Sequence, residues 1–307
     1  MKTMLLIDAY AIIHRAFYAM PSFSTKDGTP TNAVYGFLTM LVKSIQDYQP
    51  DYIIVCFDTP KPTFRKKLFP QYQTQRPKTD DQLKIQVPLI RTLLDKGGIA
   101  RAEKEGYEAD DVIGTLAAKY KNQMRILILT GDKDMFQLVD QNVYIITPKV
   151  GLSTVVMYDR SGVIEKLGVP PEQIPDYKAL VGDQSDNYKG AKGIGPKTAI
   201  KLLNDYQTSE KIVQNAAAIK NEKVRHLIES NRAEIELSKK LATIITDIPF
   251  DMSLADCSFS AFKPGLKDFL IDLQFNSLTK RIFPPKATGP VSKSDGKKEK
   301  HQLDLFS

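Results

Sequence analysis

The chain has 307 residues, 42% of them hydrophobic, with 43 Lys+Arg against 36 Asp+Glu and a formal net charge of +7. That length and apolar content suit one large domain or two ordinary ones and exclude wholesale disorder. No apolar run reaches the roughly 18 residues that span a bilayer, Cys56 and Cys257 are too few and too far apart for a disulfide framework, and His14, His226 and His301 lack metal-ligand spacing, so a soluble, reduced, cytoplasmic protein without membrane contact is expected.

The N-terminal run MLLID (4–8) ends in Asp8. That Asp breaks the apolar stretch and no small-residue cleavage site follows, so a buried strand and then a helix are expected rather than a signal peptide. YIIVCFD (52–58) repeats the design, as does RILILTGD (125–132). Unbroken apolar runs of this length suit parallel strands buried on both faces. Helical patterns lie between them at Asn32–Tyr48, Asp81–Lys96 and Ala109–Lys121. Two further short strands are predicted at Val143–Thr147 and Thr154–Met157. Strands alternating with helices imply an α/β fold with a mainly parallel sheet flanked by helices. Beyond about residue 160 the strand signal fades and helices dominate. From Pro284 the composition changes to PPKATGPVSKSDGKKEKH, which reads as a flexible, solvated linker.

The acids carry the chemistry. Asp8, Asp58 and Asp132 stand at the carboxyl ends of three predicted strands, where open parallel sheets bind ligands. A single such Asp is ordinary turn or capping chemistry; three at equivalent positions are not. Asp134 joins them in TGDKD, where it could simply cap a helix starting near Met135. Glu108, Asp110 and Asp111 open the helix after Tyr107. Acids in a first helical turn gain ~0.3–1 kcal/mol each from the macrodipole, which accounts for one or two of the three. Asp183 and Asp186 in LVGDQSDN are spaced to share one face of a helical turn. If these nine carboxylates converge, repulsion favours protonation unless cations neutralise them. Oxygen ligands without Cys or His point to a hard ion, Mg²⁺ or Mn²⁺. Two such ions ~4 Å apart can activate water and stabilise a leaving oxygen, which suits phosphodiester hydrolysis.

FDTPKPTFR, GYEADDVIG, LTGDKDMFQL and LVGDQSDNYKGAKGIGPKTAIKLL resemble signature segments of the 5′ nuclease (flap endonuclease) superfamily. The strongest resemblance is to the 5′→3′ exonuclease domain at the N-terminus of bacterial DNA polymerase I, over roughly residues 1–283; a freestanding member is expected. The resemblance implies a PIN-like, resolvase-like core over 1–178, with a helical arch at about 61–97, a helix–hairpin–helix (H3TH) region over 179–283, and a tail over 284–307. It implies two divalent metals. Asp8, Asp58, Glu108, Asp110 and Asp132 match the inner ligands, Asp134, Asp183 and Asp186 match the second site, and Asp111 belongs to the cluster. It also implies K⁺ held by the backbone carbonyls of Lys189, Ala191 and Ile194.

In GAKGIGPKTA the glycines allow tight turns, and N–H groups at the start of the next helix can bind phosphate. Gly193, Ile194, Gly195, Pro196, Lys197 and Thr198 are the expected contacts, and they read no base sequence. Residues 61–78 hold six basic residues and no acid, with Phe64, Phe69 and Tyr72 interleaved. Cations such as Arg65 and Lys66 neutralise phosphates while an aromatic stacks on a base. Tyr72 and Arg76 match the family's arch, and Arg15 matches an arginine near the substrate phosphate. Many relatives have Lys after the Tyr; this chain has Gln73.

At the end of the chain, Gln302, Leu303, Asp304, Leu305 and Phe306 resemble the peptide by which bacterial replication proteins dock on the sliding clamp. The expected function is a structure-selective 5′-3′ exonuclease and flap endonuclease that acts on 5′ flaps and 5′ ends of DNA, and on RNA primers in primer–DNA hybrids, in Okazaki fragment processing and repair. A monomer is expected. The alternatives are a catalytically weak flap- or junction-binding protein recruited by the clamp, a small-molecule phosphatase using an Asp of TGDKD, and an RNA-only nuclease.

Overall fold

The computed structural model describes residues 1–149 and 155–285. Its centre is a six-stranded sheet: β1 (Thr3–Asp8), β2 (Tyr52–Cys56), β3 (Ala100–Ala102), β4 (Arg125–Leu129), β5 (Val143–Pro148) and β6 (Val155–Tyr158), in the order β3-β2-β1-β4-β5-β6. Every pairing is parallel except β5 with β6. Side chains of β1 alternate between two cores. Met4 and Leu6 join the one that includes Val112, Leu116 and Ile235, while Leu5 and Ile7 join the one that includes Phe37, Leu93 and Leu266. Both faces are covered, so between Thr3 and Asp8 the strand has no position for a polar residue. Each such Leu or Ile buried adds ~1.5–3 kcal/mol.

Helices α1 (Ala9–Ala19), α2 (Asn32–Tyr48), α3 (Phe64–Leu68), α4 (Asp81–Gly97) and α5 (Ala109–Tyr120) precede β4. Then come α6 (Arg160–Leu167), α7 (Ile174–Val181), α8 (Pro196–Tyr206), α9 (Ser209–Gln214), α10 (Glu222–Ser230), α11 (Arg232–Ala242), α12 (Gly265–Asp272) and α13 (Asn276–Ile282). Helices α1, α2, α4, α12 and α13 cover one face of the sheet, and α5, α7, α8 and α11 lie on the other. Thr31 gives α2 no side-chain cap. Buried Gln86 of α4 does so instead, accepting the Ala33 N–H at 2.7 Å and the Val34 N–H at 3.3 Å.

The expected helices appear within a residue of their ends. Gly98, at φ 71°, stops α4 with the left-handed conformation that glycine adopts freely. Three local expectations change. The three-residue β3 is too short to leave a pattern. The helix after TGDKD is a 3₁₀ turn, Asp134–Leu138. Asp183 and Asp186 are not helical: α7 ends at Val181, and Asp183 pairs with Tyr188 across a tight antiparallel loop. That loop packs against its own base. A Cβ on Gly190 would meet the Gly182 nitrogen at 2.5 Å, so the crossing admits only glycine. The strand expected from Thr154 begins at Val155; Thr154 lies outside the described residues.

Candidate active site

β1 pairs with β2 on one side and β4 on the other, and the strand order reverses there. Asp8 ends β1, Asp58 follows β2 by two residues and Asp132 follows β4 by three. All three stand at the carboxyl edge, where a crevice opens at the reversal. A cavity of about 750 Å³ occupies that edge, and Asp8, Asp58, Glu108, Asp110, Asp132, Asp134 and Asp186 line it.

Local hydrogen bonds set each acid. Asp8 accepts the Ala11 N–H of α1 at 3.1 Å and the Thr130 hydroxyl at 2.8 Å. The Asp132 N–H donates to that same Thr130 hydroxyl at 2.9 Å, and Asp132 accepts the Asp134 N–H at 2.8 Å. Asp58 accepts the Ala109 N–H at the start of α5, at 2.7 Å. Burial pushes Asp8 and Glu108 each up to about 7. Asp58 and Asp132 add to the push on Asp8; Arg65 opposes it at Glu108. Asp110 is pushed well above the usual carboxylate range by burial, then by Asp132, Asp8, Glu108 and Asp58. These groups repel one another across shared space.

Asp134, Asp183 and Asp186 are, among the described residues, the group that brings three carboxylate oxygens within 4.8 Å of one another. Asp183 accepts the Ser185 N–H at 2.7 Å and the Asp186 N–H at 3.2 Å, so the tight loop does the work expected of a helical face. The Lys178 ammonium bridges Asp134 and Asp183. Burial lifts Asp134 to about 7 with help from Asp132; at Asp183 burial pushes the same way, but Lys178 and the hydrogen bonds outweigh it and hold the carboxyl below its usual value.

Four of the expected residues are held by contacts within the protein. Asp111 does not face the cavity. It is fully buried and takes two hydrogen bonds from Arg65, one from the Glu108 N–H and one from the Ile245 N–H. It completes a capping box on α5, which is its ordinary first-turn role. Arg65 lines the cavity but is buried, and its remaining N–H groups reach the Leu241 and Thr243 carbonyls. Tyr72 is not an exposed stacking platform. It is 3% exposed, packs on Tyr188, Leu241 and Ala242, and donates to Asp186 at 3.0 Å with Glu108 3.3 Å away. Arg15 is not among the cavity's lining; its guanidinium donates to the Lys149 carbonyl at 2.8 Å.

Of the other expected residues, Arg76 lines the cavity and pairs with Asp186, and Lys66 lines it while donating to the Tyr72 carbonyl at 2.6 Å. Gln73 is there too, at φ 58°, its N–H on the Asp186 carbonyl at 3.0 Å. Pro196 opens α8 after Gly195, which makes no side-chain cap bond. Gly193, Gly195, Pro196 and Lys197 are exposed, Thr198 is half-buried and Ile194 is buried. The Ala191 carbonyl accepts the Ile194 N–H at 2.9 Å, so one of the three expected K⁺ carbonyls already serves a turn. Residues 302–306 lie outside the described residues. Lys178 and Thr130, which contact the acids, and the buried Tyr188 hydroxyl stand in no motif of the sequence. Lys178 precedes Asp183 by five residues, a spacing with no pattern in a chain rich in Lys.

Two family descriptions match consecutive parts of the chain: "5'-3' exonuclease, N-terminal resolvase-like domain" over residues 3–168 and "5'-3' exonuclease, C-terminal SAM fold" over 169–264. The chain belongs to the 5′-3′ exonuclease family. This family member is similar to the 5′-3′ exonuclease of Aquifex aeolicus, 41% identical over 286 residues, covering 92% of this chain and 96% of the relative. It is similar also to DNA polymerase I of Caldicellulosiruptor bescii, 42% identical over 283 residues and 91% of this chain. It spans 33% of that polymerase, about a third of its length. Its fold is that of the T5 5′-exonuclease solved with zinc ions bound, with TM-score 0.65, 18% identity, and coverage of 92% of this chain and 98% of that one. The catalytic core of Rad2 in complex with DNA substrate shares the fold at TM-score 0.55 and 15% identity, over 92% of each chain.

Proposed function

We propose that the protein is a divalent-metal-dependent 5′ nuclease that cleaves 5′ flaps and trims 5′ ends of DNA, with RNA primer–DNA hybrids as a second substrate. One observation carries the reading: seven carboxylates line a single cavity at the carboxyl edge of the sheet, and the basic segment that follows β2 forms its wall. The donor set is all oxygen, and burial with mutual repulsion holds several of the acids above their usual range. A hard divalent ion relieves both conditions, so Asp8, Asp58, Glu108, Asp110 and Asp132 would hold one ion and Asp134, Asp183 and Asp186 a second. Mg²⁺ or Mn²⁺ would supply Lewis acidity for phosphodiester hydrolysis.

The chain's own residues do the rest. Arg76, exposed at the rim, and Lys66 set positive charge beside the acids, where a phosphate backbone must approach. The free N–H groups at the start of α8 would bind a duplex phosphate without reading sequence, with K⁺ at the carbonyls of Lys189, Ala191 and Ile194. The C-terminal Gln302–Phe306 peptide would tether the enzyme to the sliding clamp, as suits Okazaki fragment processing and repair. Gln73, standing in the cavity where a lysine would add charge, favours a second reading: a flap-binding protein of weak catalytic power.

The test is cleavage of a 5′-flap oligonucleotide with Mg²⁺ and with EDTA. Release of the flap only with Mg²⁺ is expected. Equal cleavage in EDTA would overturn the metal reading, and tight binding without any cleavage would select the second.

A further inference from the structure

The two acid clusters of the cavity are neutralised differently. Among the described residues, no Lys or Arg comes within ion-pair distance of Asp8, Asp58, Asp110 or Asp132, and Glu108 shares Arg65 with Asp111. The other cluster carries its own cations. Lys178 bridges Asp134 and Asp183, and Arg76 pairs with Asp186.

Lys178 sits in the last turn of α7 with its side chain 15% exposed. Its ammonium contacts an oxygen of each of Asp134 and Asp183 at once. Beside it, the Tyr188 hydroxyl is buried and has no hydrogen-bond partner, although Tyr188 is only 4% exposed. An unpaired hydroxyl is costly in such a place unless a further polar group comes to it.

We infer that Lys178 is the resident counter-ion of the Asp134–Asp183–Asp186 site, and that its ammonium must withdraw before a divalent cation can enter there. The inference rests on the metal-dependent reading above. A lysine ammonium and a divalent ion cannot both sit on the same two carboxylates, because like charges within a few ångströms repel strongly in a partly dry site. Lysine's four-carbon stem lets the charge swing away without moving α7. Four of the five inner acids have no such competitor, and the Arg65 beside Glu108 is committed to Asp111. Cation loading is therefore ordered: the inner cluster fills first, and the second site is weak as long as Lys178 holds it.

The experiment is calorimetric titration of Mn²⁺ into the full chain without DNA, comparing wild type with Lys178→Met, Lys178→Gln and Lys178→Arg. Far-ultraviolet circular dichroism in EDTA checks that each variant folds. The Asp134 and Asp183 side chains are each 15% exposed, and the Gln variant keeps hydrogen-bond donors should the Met variant fail to fold. Wild type is expected to bind one ion tightly and a second weakly. Lys178→Met and Lys178→Gln should strengthen the second step by about tenfold or more and leave the first unchanged, while Lys178→Arg should behave as wild type. A second ion bound with equal affinity by wild type and Lys178→Met overturns this inference alone. Absence of any second ion in all four proteins overturns both it and the paired-ion reading.

Discussion

Arg65 and Asp111 meet through two parallel hydrogen bonds of 2.7 and 2.9 Å, with their side chains 3% and 0% exposed. The pair joins α3 to α5, and through the Leu241, Thr243 and Ile245 backbone it joins both to the end of α11 and the segment after it. Removing one partner leaves a buried charge without compensation. Asp111→Ala is expected to lower unfolding free energy by about 3–5 kcal/mol in urea denaturation. A loss below about 1 kcal/mol would show that water reaches Arg65.

Asp110, the preceding residue, should respond in the opposite sense. Its carboxyl is crowded by Asp132, Asp8, Glu108 and Asp58. Asp110→Asn removes that repulsion, so the melting temperature in EDTA is expected to rise. Flap cleavage in Mg²⁺ should fall by about 10²-fold or more. A variant that lost both stability and activity would mark Asp110 as structural.

Asp8, Glu108 and Asp134 are each pushed up to about 7, first of all by burial. Free carboxyls ionise near pH 4, so between about pH 4 and about pH 7 the metal-free fold holds protons that the unfolded chain has already released. Stability in EDTA therefore falls as pH rises through this window. Melting curves between about pH 5 and about pH 8 should show the decline, with a shallower slope in Asp8→Asn. Excess Mg²⁺ should restore more stability at the alkaline end, where the ligands are already deprotonated.

Gln73 lines the cavity at φ 58°, held by its N–H on the Asp186 carbonyl. Lysine suffers the same left-handed strain as glutamine, so Gln73→Lys should fold as well as wild type. The added ammonium in the cavity is expected to raise kcat for flap cleavage by up to about 10²-fold, with KM little changed. No gain would mean that Arg76 already supplies that charge.

Deleting residues 302–307 should leave cleavage of short flap oligonucleotides intact and abolish binding to the sliding clamp in a pull-down. Equal clamp capture by the truncated chain would remove the docking role of Gln302–Phe306.

The sheet was legible because a strand covered on both faces has to be apolar throughout, and a parallel sheet sends all its carboxyl ends to one edge. MLLID, YIIVCFD and RILILTGD thereby placed Asp8, Asp58 and Asp132 together before any coordinate was known. The Asp134–Asp183–Asp186 group was legible as a set but not in form, since the loop that presents Asp183 and Asp186 depends on Gly182 and Gly190 crossing 2.5 Å from a would-be Cβ. Lys178 and Tyr188 left no trace, because their meaning lies in contacts made across the fold.

By itself, then, the sequence determined an α/β nuclease-family core and an acidic edge on its sheet, since periodicity and chain direction are local properties. Only the tertiary structure decided which acids are free to bind a cation. Asp110 and Asp111 are the same residue type one position apart, yet neighbours on a helix point about 100° away from each other. One faces the cavity and its fellow carboxylates, and the other faces Arg65.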